Sequence, residues 1–202
     1  MAKGLLLIIS GPAGSGKGTV GAHLLKRDDF VYSVSATTRG PRPGERNGVN
    51  YHFISREDFT DRINSGDMLE YTEYCGNFYG TPKKEAEAVL ESGKNLILEI
   101  EVDGAHQVKA KFPDAVLIML LPPSFKVQEA RLRGRGTEPE EKILARLERT
   151  REELKDVEDY DYVVYNYDGQ DLDAAERIVS IVEAERASLR RNPNVKESYF
   201  AN

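Results

Sequence analysis

Leu5-Leu-Leu-Ile-Ile-Ser10-Gly11-Pro-Ala-Gly-Ser-Gly-Lys-Gly-Thr19 is a short apolar run that breaks into glycines and closes on a lysine. The apolar part is partly β-branched and does not alternate with polar residues. It reads as a strand buried on both faces, the habit of a parallel sheet. The glycine part contains the G-x-x-x-x-G-K core of a phosphate-binding loop, between a strand and a helix. Glycines let the backbone curl so that successive N–H groups point at phosphate oxygens, and the following helix adds its positive end. Gly11, Pro12, Ala13, Gly14, Ser15, Gly16, Lys17, Gly18 and Thr19 are therefore candidate nucleotide-phosphate ligands, with Lys17 as the charge for the β- and γ-phosphates. The usual residue after the lysine is Ser or Thr, whose hydroxyl helps hold Mg2+. Here it is Gly18. Phosphate binding by backbone survives that change, and Mg2+ is expected to rest mainly on phosphate oxygens and water.

Working outward, Thr19 to Arg27 has helical spacing. Asn95–Glu101 and Ala115–Leu121 read as further strands, the second stopped by Pro122 and Pro123, and Tyr162–Tyr165 as a fourth. Helical patterns lie near Pro82–Ser92, Ala105–Lys111, Phe125–Arg133, Pro139–Val157 and Leu172–Arg190. Strands alternating with helices predict an α/β fold with a parallel sheet between helices. Two regions break the rhythm. Ser33 to Tyr79 is rich in Gly, Pro, Arg, Asn and Tyr, with strand-like pieces at Tyr51–Ile54 and Leu69–Tyr74 and a hairpin turn at Cys75-Gly76-Asn77. It reads as a small, mostly antiparallel insertion. Arg131 to Arg151 is too polar to be core throughout, and reads either as a mobile flap or as a solvated helical hairpin.

The chain has 202 residues, enough for one domain with a substantial core, and a formal net charge of −6. That acidity argues against nucleic acid as a partner, because phosphate backbones select basic surfaces. Cys75 is the single cysteine, so no internal disulfide is expected, and it reads as a small, at least half-buried residue. No run approaches the roughly 20 apolar residues of a membrane helix, and no secretory leader is visible. A cytoplasmic address is the expectation. His23, His52 and His106 are scattered without metal-ligand spacing, so no protein-built metal centre is expected. The tail from Arg190 to Asn202 is polar, without a readable motif, and is expected to be disordered.

The acceptor for a transferred phosphate has to be sought in the insertion. Arg39 and Arg42 flank Pro41 in Thr37-Thr-Arg-Gly-Pro-Arg-Pro-Gly-Glu45. Two guanidiniums on a stiff turn suit a dianionic phosphate; they read equally well as exposed surface arginines. The longer run Ser33-Val-Ser-Ala-Thr-Thr-Arg-Gly-Pro-Arg-Pro-Gly-Glu45, with Asn47-Gly48 and Tyr51-His-Phe, resembles the signature of guanylate kinases. So do Leu69-Glu70, Gly76-Asn-Phe-Tyr-Gly-Thr81, Leu98-Glu-Ile-Glu101 and Arg133-Gly-Arg-Gly-Thr137. The resemblance runs from the glycine loop to about Asn166. The Gly-Lys-Gly-Thr ending is also familiar from adenylate kinases.

The resemblance implies a P-loop, three-layer α/β core (1–32, 92–125 and 154–202), a mixed-β GMP-binding subdomain (33–91) and a helical lid (126–153). It implies ATP-dependent phosphorylation of GMP, and of dGMP, with Mg2+. Arg39, Arg42, Tyr51 and Tyr79 match the residues that hold the GMP phosphate; Ser35, Glu70, Thr81 and Glu101 match those around guanine. Arg131, Arg135 and Arg146 match lid-side arginines that reach the phosphates, and Asn166 the Asn after the last core strand. Lys17, Arg39, Arg135 and Arg146 are the implied catalytic set. The chemistry of guanine agrees: its N1–H and N2 amine are adjacent donors, and one ionised carboxylate accepts both. Glu101 stands where many members carry Asp, and Tyr167 replaces the Asp that often follows Asn166. Two rival readings are a non-catalytic protein-binding module of the same fold and a kinase for AMP or a pyrimidine nucleotide. The intact loop with Lys17 argues against the first, the guanine-matching region against the second. Oligomeric state is not readable from the sequence.

Overall fold

The structure is a computed structural model that describes residues 3–134, 136 and 138–201. Five strands form a wholly parallel sheet: β1 (Leu6–Ser10), β2 (Phe30–Tyr32), β7 (Asn95–Leu98), β8 (Val116–Leu121) and β9 (Tyr162–Tyr165), in the order β2-β7-β1-β8-β9. β1 is central and all five of its residues are buried. Side chains alternate between faces along a strand, and the core divides accordingly. Leu7 and Ile9, with Val116, Ile118 and Leu120 of β8, meet Val20 and Leu24 of α1 (Lys17–Leu24) and Ile178, Val179 and Val182 of α7 (Asp171–Ala187). Leu6 and Ile8, with Leu96, Leu98 and Leu117, meet Ala86 and Leu90 of α3 (Lys83–Glu91) and Ala105 and Val108 of α4 (Val102–Lys111). An apolar run without alternation is what a strand covered on both faces requires.

The second sheet has four strands in the order β4-β3-β6-β5: β3 (Ala36–Thr37), β4 (His52–Phe53), β5 (Met68–Tyr74) and β6 (Asn77–Pro82). β3 pairs parallel with β4 and antiparallel with β6; β5 and β6 are an antiparallel hairpin with an irregularity between Met68 and Glu70. Helix α2 (Arg56–Asn64) covers it, with Phe59 buried on Met68 and Ala36 and stacked on Phe78. Ser55 caps α2 by accepting from the Asp58 N–H at 3.0 Å. Helices α5 (Phe125–Gly134) and α6 (Glu140–Glu153) follow β8, packed through Leu132, Ile143 and Leu147.

Several expectations are corrected. The strand begun at Asn95 stops at Leu98, because Glu101 takes the cap position of α4 and the helix starts at Val102. The helix expected over Pro139–Val157 ends at Glu153 and gives way to a 3-10 segment, Leu154–Asp159, kinked at Asp156. Strands β2 and β3 and helix α2 were not foreseen. Cys75 is exposed, not half-buried: with Gly76 it forms the two-residue hairpin turn, both at positive φ (48° and 74°), and the side chain stands off the tip. The tail carries a short helix, α8 (Val195–Phe200), and Arg190 and Arg191 anchor the chain before it on Glu185 at 2.7 Å each.

Candidate active site

The glycine loop sits at the carboxyl end of β1, where open parallel sheets bind ligands. Gly16 has a left-handed φ of 91°, and a Cβ there would lie 2.2 Å from Asn166 Nδ2. Only glycine fits both demands. Asn166, at the end of β9, donates from Nδ2 to Ser15 O and Asp171 Oδ1, each at 3.0 Å. Thr19 Oγ1 lies within bonding distance of Gly16 O (2.8 Å) and Asp171 Oδ1 (3.0 Å). From α5, Gln128 donates to Ala13 O at 2.9 Å and Arg131 to Gly14 O at 3.2 Å. Arg131 also donates to Asn166 O (2.9 Å) and pairs with Asp168 (2.6 Å). Lys17 Nζ donates to Gly11 O at 2.5 Å. Two buried atoms of this frame, Ser15 Oγ and Asn166 Oδ1, have no partner among the described residues.

A cavity of about 840 Å3 opens over the loop, with Lys17, Glu99, Arg131, Arg146 and Tyr167 among its walls. A second, of about 290 Å3, is lined by Ser10, Lys17, Glu99, Glu101, Arg146 and Arg149 among others. Lys17, Glu99 and Arg146 therefore line both. Arg146 reaches Glu138 at 2.6 Å, and Arg149, one turn further along α6, pairs with Glu101.

In the second sheet Arg39 forms a two-pronged pair with Glu45 (2.9 and 3.0 Å) and lies 5.5 Å from the Tyr51 ring and 5.8 Å from the Phe53 ring. The Arg39 hydrogen bond, helped by the Arg42 backbone N–H, holds the Glu45 carboxyl below its ordinary pKa. Tyr79 stands edge-on to Tyr51 at 6.1 Å. Arg42 is exposed and gives its N–H to Glu45 at 2.7 Å. Glu70 is 5% exposed and accepts from Thr81 Oγ1 at 2.8 Å. Burial pushes its pKa up, against the pull of the Thr81 hydrogen bonds and the Lys111 charge. Ser35 is half-buried just before β3.

The sequence model of the guanylate kinase family matches residues 3–185. The guanylate kinase of Streptococcus thermophilus (strain CNRZ 1066) is 51% identical over 191 residues, 94% of this chain and 90% of that protein. That of Lactococcus lactis is 49% identical over 190 residues, 94% and 92% of the two chains. The crystal structure of guanylate kinase from Anaplasma phagocytophilum superposes with a TM-score of 0.72 at 34% identity, covering 95% of this chain and 90% of that one. The chain belongs to the guanylate kinase family. It is thereby an ATP:GMP phosphotransferase, a nucleoside monophosphate kinase.

Within this guanylate kinase fold the sequence-derived candidates gather into three groups: the loop with Arg131, Arg146 and Asn166; Arg39 with Tyr51 and Tyr79; and Glu70 with Thr81. Glu101 faces the second cavity, tied to α6. Arg135 lies outside the described residues. Sequence reasoning missed Glu99, Asp171, Arg149 and Gln128. Glu99 was within reach: it is the first residue after β7, at the carboxyl end of a strand beside the loop. Among the described residues no cluster of three or more His, Cys, Asp or Glu could hold a metal alone, and no helix is long and apolar enough to cross a membrane.

Proposed function

We propose that this chain transfers the γ-phosphoryl group of ATP, held on the glycine loop, to GMP, and to dGMP, held on the insertion that carries Arg39, Arg42, Tyr51 and Tyr79, by direct in-line displacement. The observation that carries the reading is the glycine loop under a cavity of about 840 Å3, with Lys17, Glu99 and Arg146 on the seam that this cavity shares with the second. Phosphoryl transfer asks of a protein mainly positioning and charge neutralisation. In this reading Gly11 to Thr19 cradle the ATP phosphates, Lys17 neutralises the β- and γ-groups, Asn166 keeps the loop in shape, and Arg131 flanks the nucleotide. Arg39, Arg42, Tyr51 and Tyr79 grip the GMP phosphate, with Glu45 orienting Arg39. Glu70 accepts from guanine N1–H and N2–H, Ser35 and Thr81 serve O6, and Glu101 borders the base. The acceptor phosphate is already anionic, so no general base is required. Arg135 and Arg146 cover the charge of the transferring group, and residues 126–153 act as a lid over a core of 1–32, 92–125 and 154–202, with 33–91 carrying GMP. Exclusion of water by that lid protects ATP from hydrolysis.

The donor set suits Mg2+ held mostly by phosphate oxygens and water. Gly18 offers no hydroxyl, the Thr19 hydroxyl is engaged with Gly16 O and Asp171, and Glu99 is the carboxylate on the seam. When bound, the ion supplies charge neutralisation between the phosphates. Small-molecule substrates and a cytoplasmic address complete the reading.

The test is ADP formation with Mg-ATP and, in parallel, GMP, dGMP, AMP, CMP and dTMP. Turnover with GMP and dGMP and little with the others is expected. Preference for another acceptor overturns the roles given to Glu70, Ser35 and Thr81. Folded protein inert towards all five makes the domain a binding module.

A further inference from the structure

Glu99 poses a problem of its own. It is a carboxylate on the wall of a site meant for polyanionic phosphates, at the seam where both cavities meet Lys17 and Arg146. A bare carboxylate there repels the substrate; one that takes a cation with the phosphates helps to bind it. To do so it must be held facing the seam, and it is exposed and on the loop after β7.

The structure supplies a holder. Tyr32, at the end of edge strand β2, crosses to donate its hydroxyl to Glu99 Oε2 at 3.2 Å. The ring reaches that point only because α1 has no side chain in its path: a Cβ on Gly21 would lie 1.9 Å from the Tyr32 hydroxyl and 2.8 Å from Cζ. Gly21 has no positive φ to account for it, and in the middle of a helix a glycine costs roughly 0.5–1 kcal/mol against alanine. Passage of the tyrosine is a reason for it to be there.

We propose that Tyr32, admitted by Gly21, is a positioning residue that holds the Glu99 carboxylate on the seam, where it receives the divalent cation that accompanies the ATP phosphates. This rests on the phosphate-loop reading given above, and it adds residues that no glycine-loop or arginine motif contains.

The test is equilibrium binding of ATP by calorimetry with Mg2+ and with EDTA, on wild type, Tyr32→Phe, Gly21→Ala and Glu99→Gln. Losing one hydrogen bond to a charged acceptor at this exposure corresponds to roughly a three- to tenfold effect. Tyr32→Phe, which keeps the ring, is expected to weaken Mg-ATP binding by about that factor while leaving metal-free ATP binding, GMP binding and the thermal midpoint unchanged. Gly21→Ala is expected to reproduce the loss by displacing the ring. Glu99→Gln is expected to weaken Mg-ATP binding further and to leave metal-free ATP binding equal or tighter, because a repelling charge has gone. If Glu99→Gln shifts the Mg2+ dependence and Tyr32→Phe does not, Tyr32 is not the holder and the proposal falls while the reading of Glu99 stands. If Glu99→Gln leaves the Mg2+ dependence unchanged, the role of Glu99 itself is wrong. If Tyr32→Phe weakens ATP equally with and without metal, or lowers the thermal midpoint, Tyr32 is a packing residue and the proposal is refuted.

Discussion

Glu70→Gln separates the role proposed for the buried carboxylate at guanine from what it does to the fold. Glu70 is 5% exposed, and Thr81 Oγ1 donates to its Oε1 at 2.8 Å. In the amide the oxygen stays on the side of the Thr81 donor, so the NH2 takes the place of Oε2. There it meets guanine donor against donor. One charge-assisted hydrogen bond is lost, about 1.5–3 kcal/mol, and an amide donor is left buried and unpaired, about 1–3 kcal/mol. Together these come to roughly 2.5–6 kcal/mol, or about two to a little over four powers of ten in kcat/KM for GMP. AMP presents an acceptor at N1, which the new NH2 can meet, so the GMP/AMP ratio falls by more than GMP activity alone.

Stability moves the other way. Burial raises the Glu70 pKa in the folded protein, so the folded state holds this proton more tightly than the unfolded one. The sign is opposite to that of a salt-bridged carboxylate: the cost is absent below the unfolded pKa and present in full above the folded one. Wild type should therefore lose stability relative to Glu70→Gln as pH rises from the ordinary glutamate range through that raised value, and its KM for GMP should climb as pH falls below the same point while the variant's stays flat. Coupled ADP assays with both acceptors and thermal melts at pH 5 and 8 read all of this. A GMP/AMP ratio within about threefold of wild type, or a stability difference independent of pH, refutes the reasoning.

Lys17→Ala removes the cation from the seam and should lower kcat by at least about a hundredfold with GMP affinity retained, measured by steady-state assay and calorimetry. Gly16→Ala forces a Cβ to 2.2 Å from Asn166 Nδ2 at a φ of 91°; a loss of roughly 1–3 kcal/mol in denaturant titration is expected, with weaker ATP binding. Gly18 has nothing within 4 Å of its Cβ position, so Gly18→Ser should fold at least as well, gain a few tenths of a kcal/mol of helix propensity, and lower the Mg2+ needed for half-maximal rate. Raising ionic strength from about 0.1 to about 0.5 M should raise the KM for GMP and AMP in parallel while their ratio holds, since screening weakens exposed charges and spares a buried one.

What the sequence showed and hid follows from the range of each interaction. β1, its loop and α1 were legible because strand, turn chemistry and helix are consecutive and each signal is local. β8 and β9 were legible as short apolar runs. β2 and β3 have three and two residues, too few for any period; they exist because β7 and β6 offer them partners. α2 carried a signal that went unread, Ser55 with Asp58 three residues on. The resemblance named the guanine-side residues, but only the folded chain brings Tyr32, Gly21 and Glu99 together. Tyr32 and Glu99 are separated by 67 positions, and no motif links residues whose sole relation is that one passes over another.

An acidic chain with a net charge of −6 has to assemble a polyphosphate site without the help of its overall field. Its answer is local. Arg39 is paired with Glu45, Arg131 with Asp168, Arg146 with Glu138 and Arg149 with Glu101. Most of these carboxylates keep contact with water, and exposed pairs are worth little, about 0–1 kcal/mol, so a phosphate can compete for the guanidinium at small cost. Each pair neutralises its guanidinium locally. Glu70 is handled in the opposite way: buried, bonded to Thr81, and with no arginine among the influences that move its pKa. Its charge can be satisfied by a ligand with two adjacent donors and by little else, because water is largely excluded. On the roles proposed for these residues, strength of binding rests on exchangeable surface pairs and choice of base on one buried carboxylate. Such a division would let the affinity for phosphate drift under substitution or salt without loss of the preference for guanine.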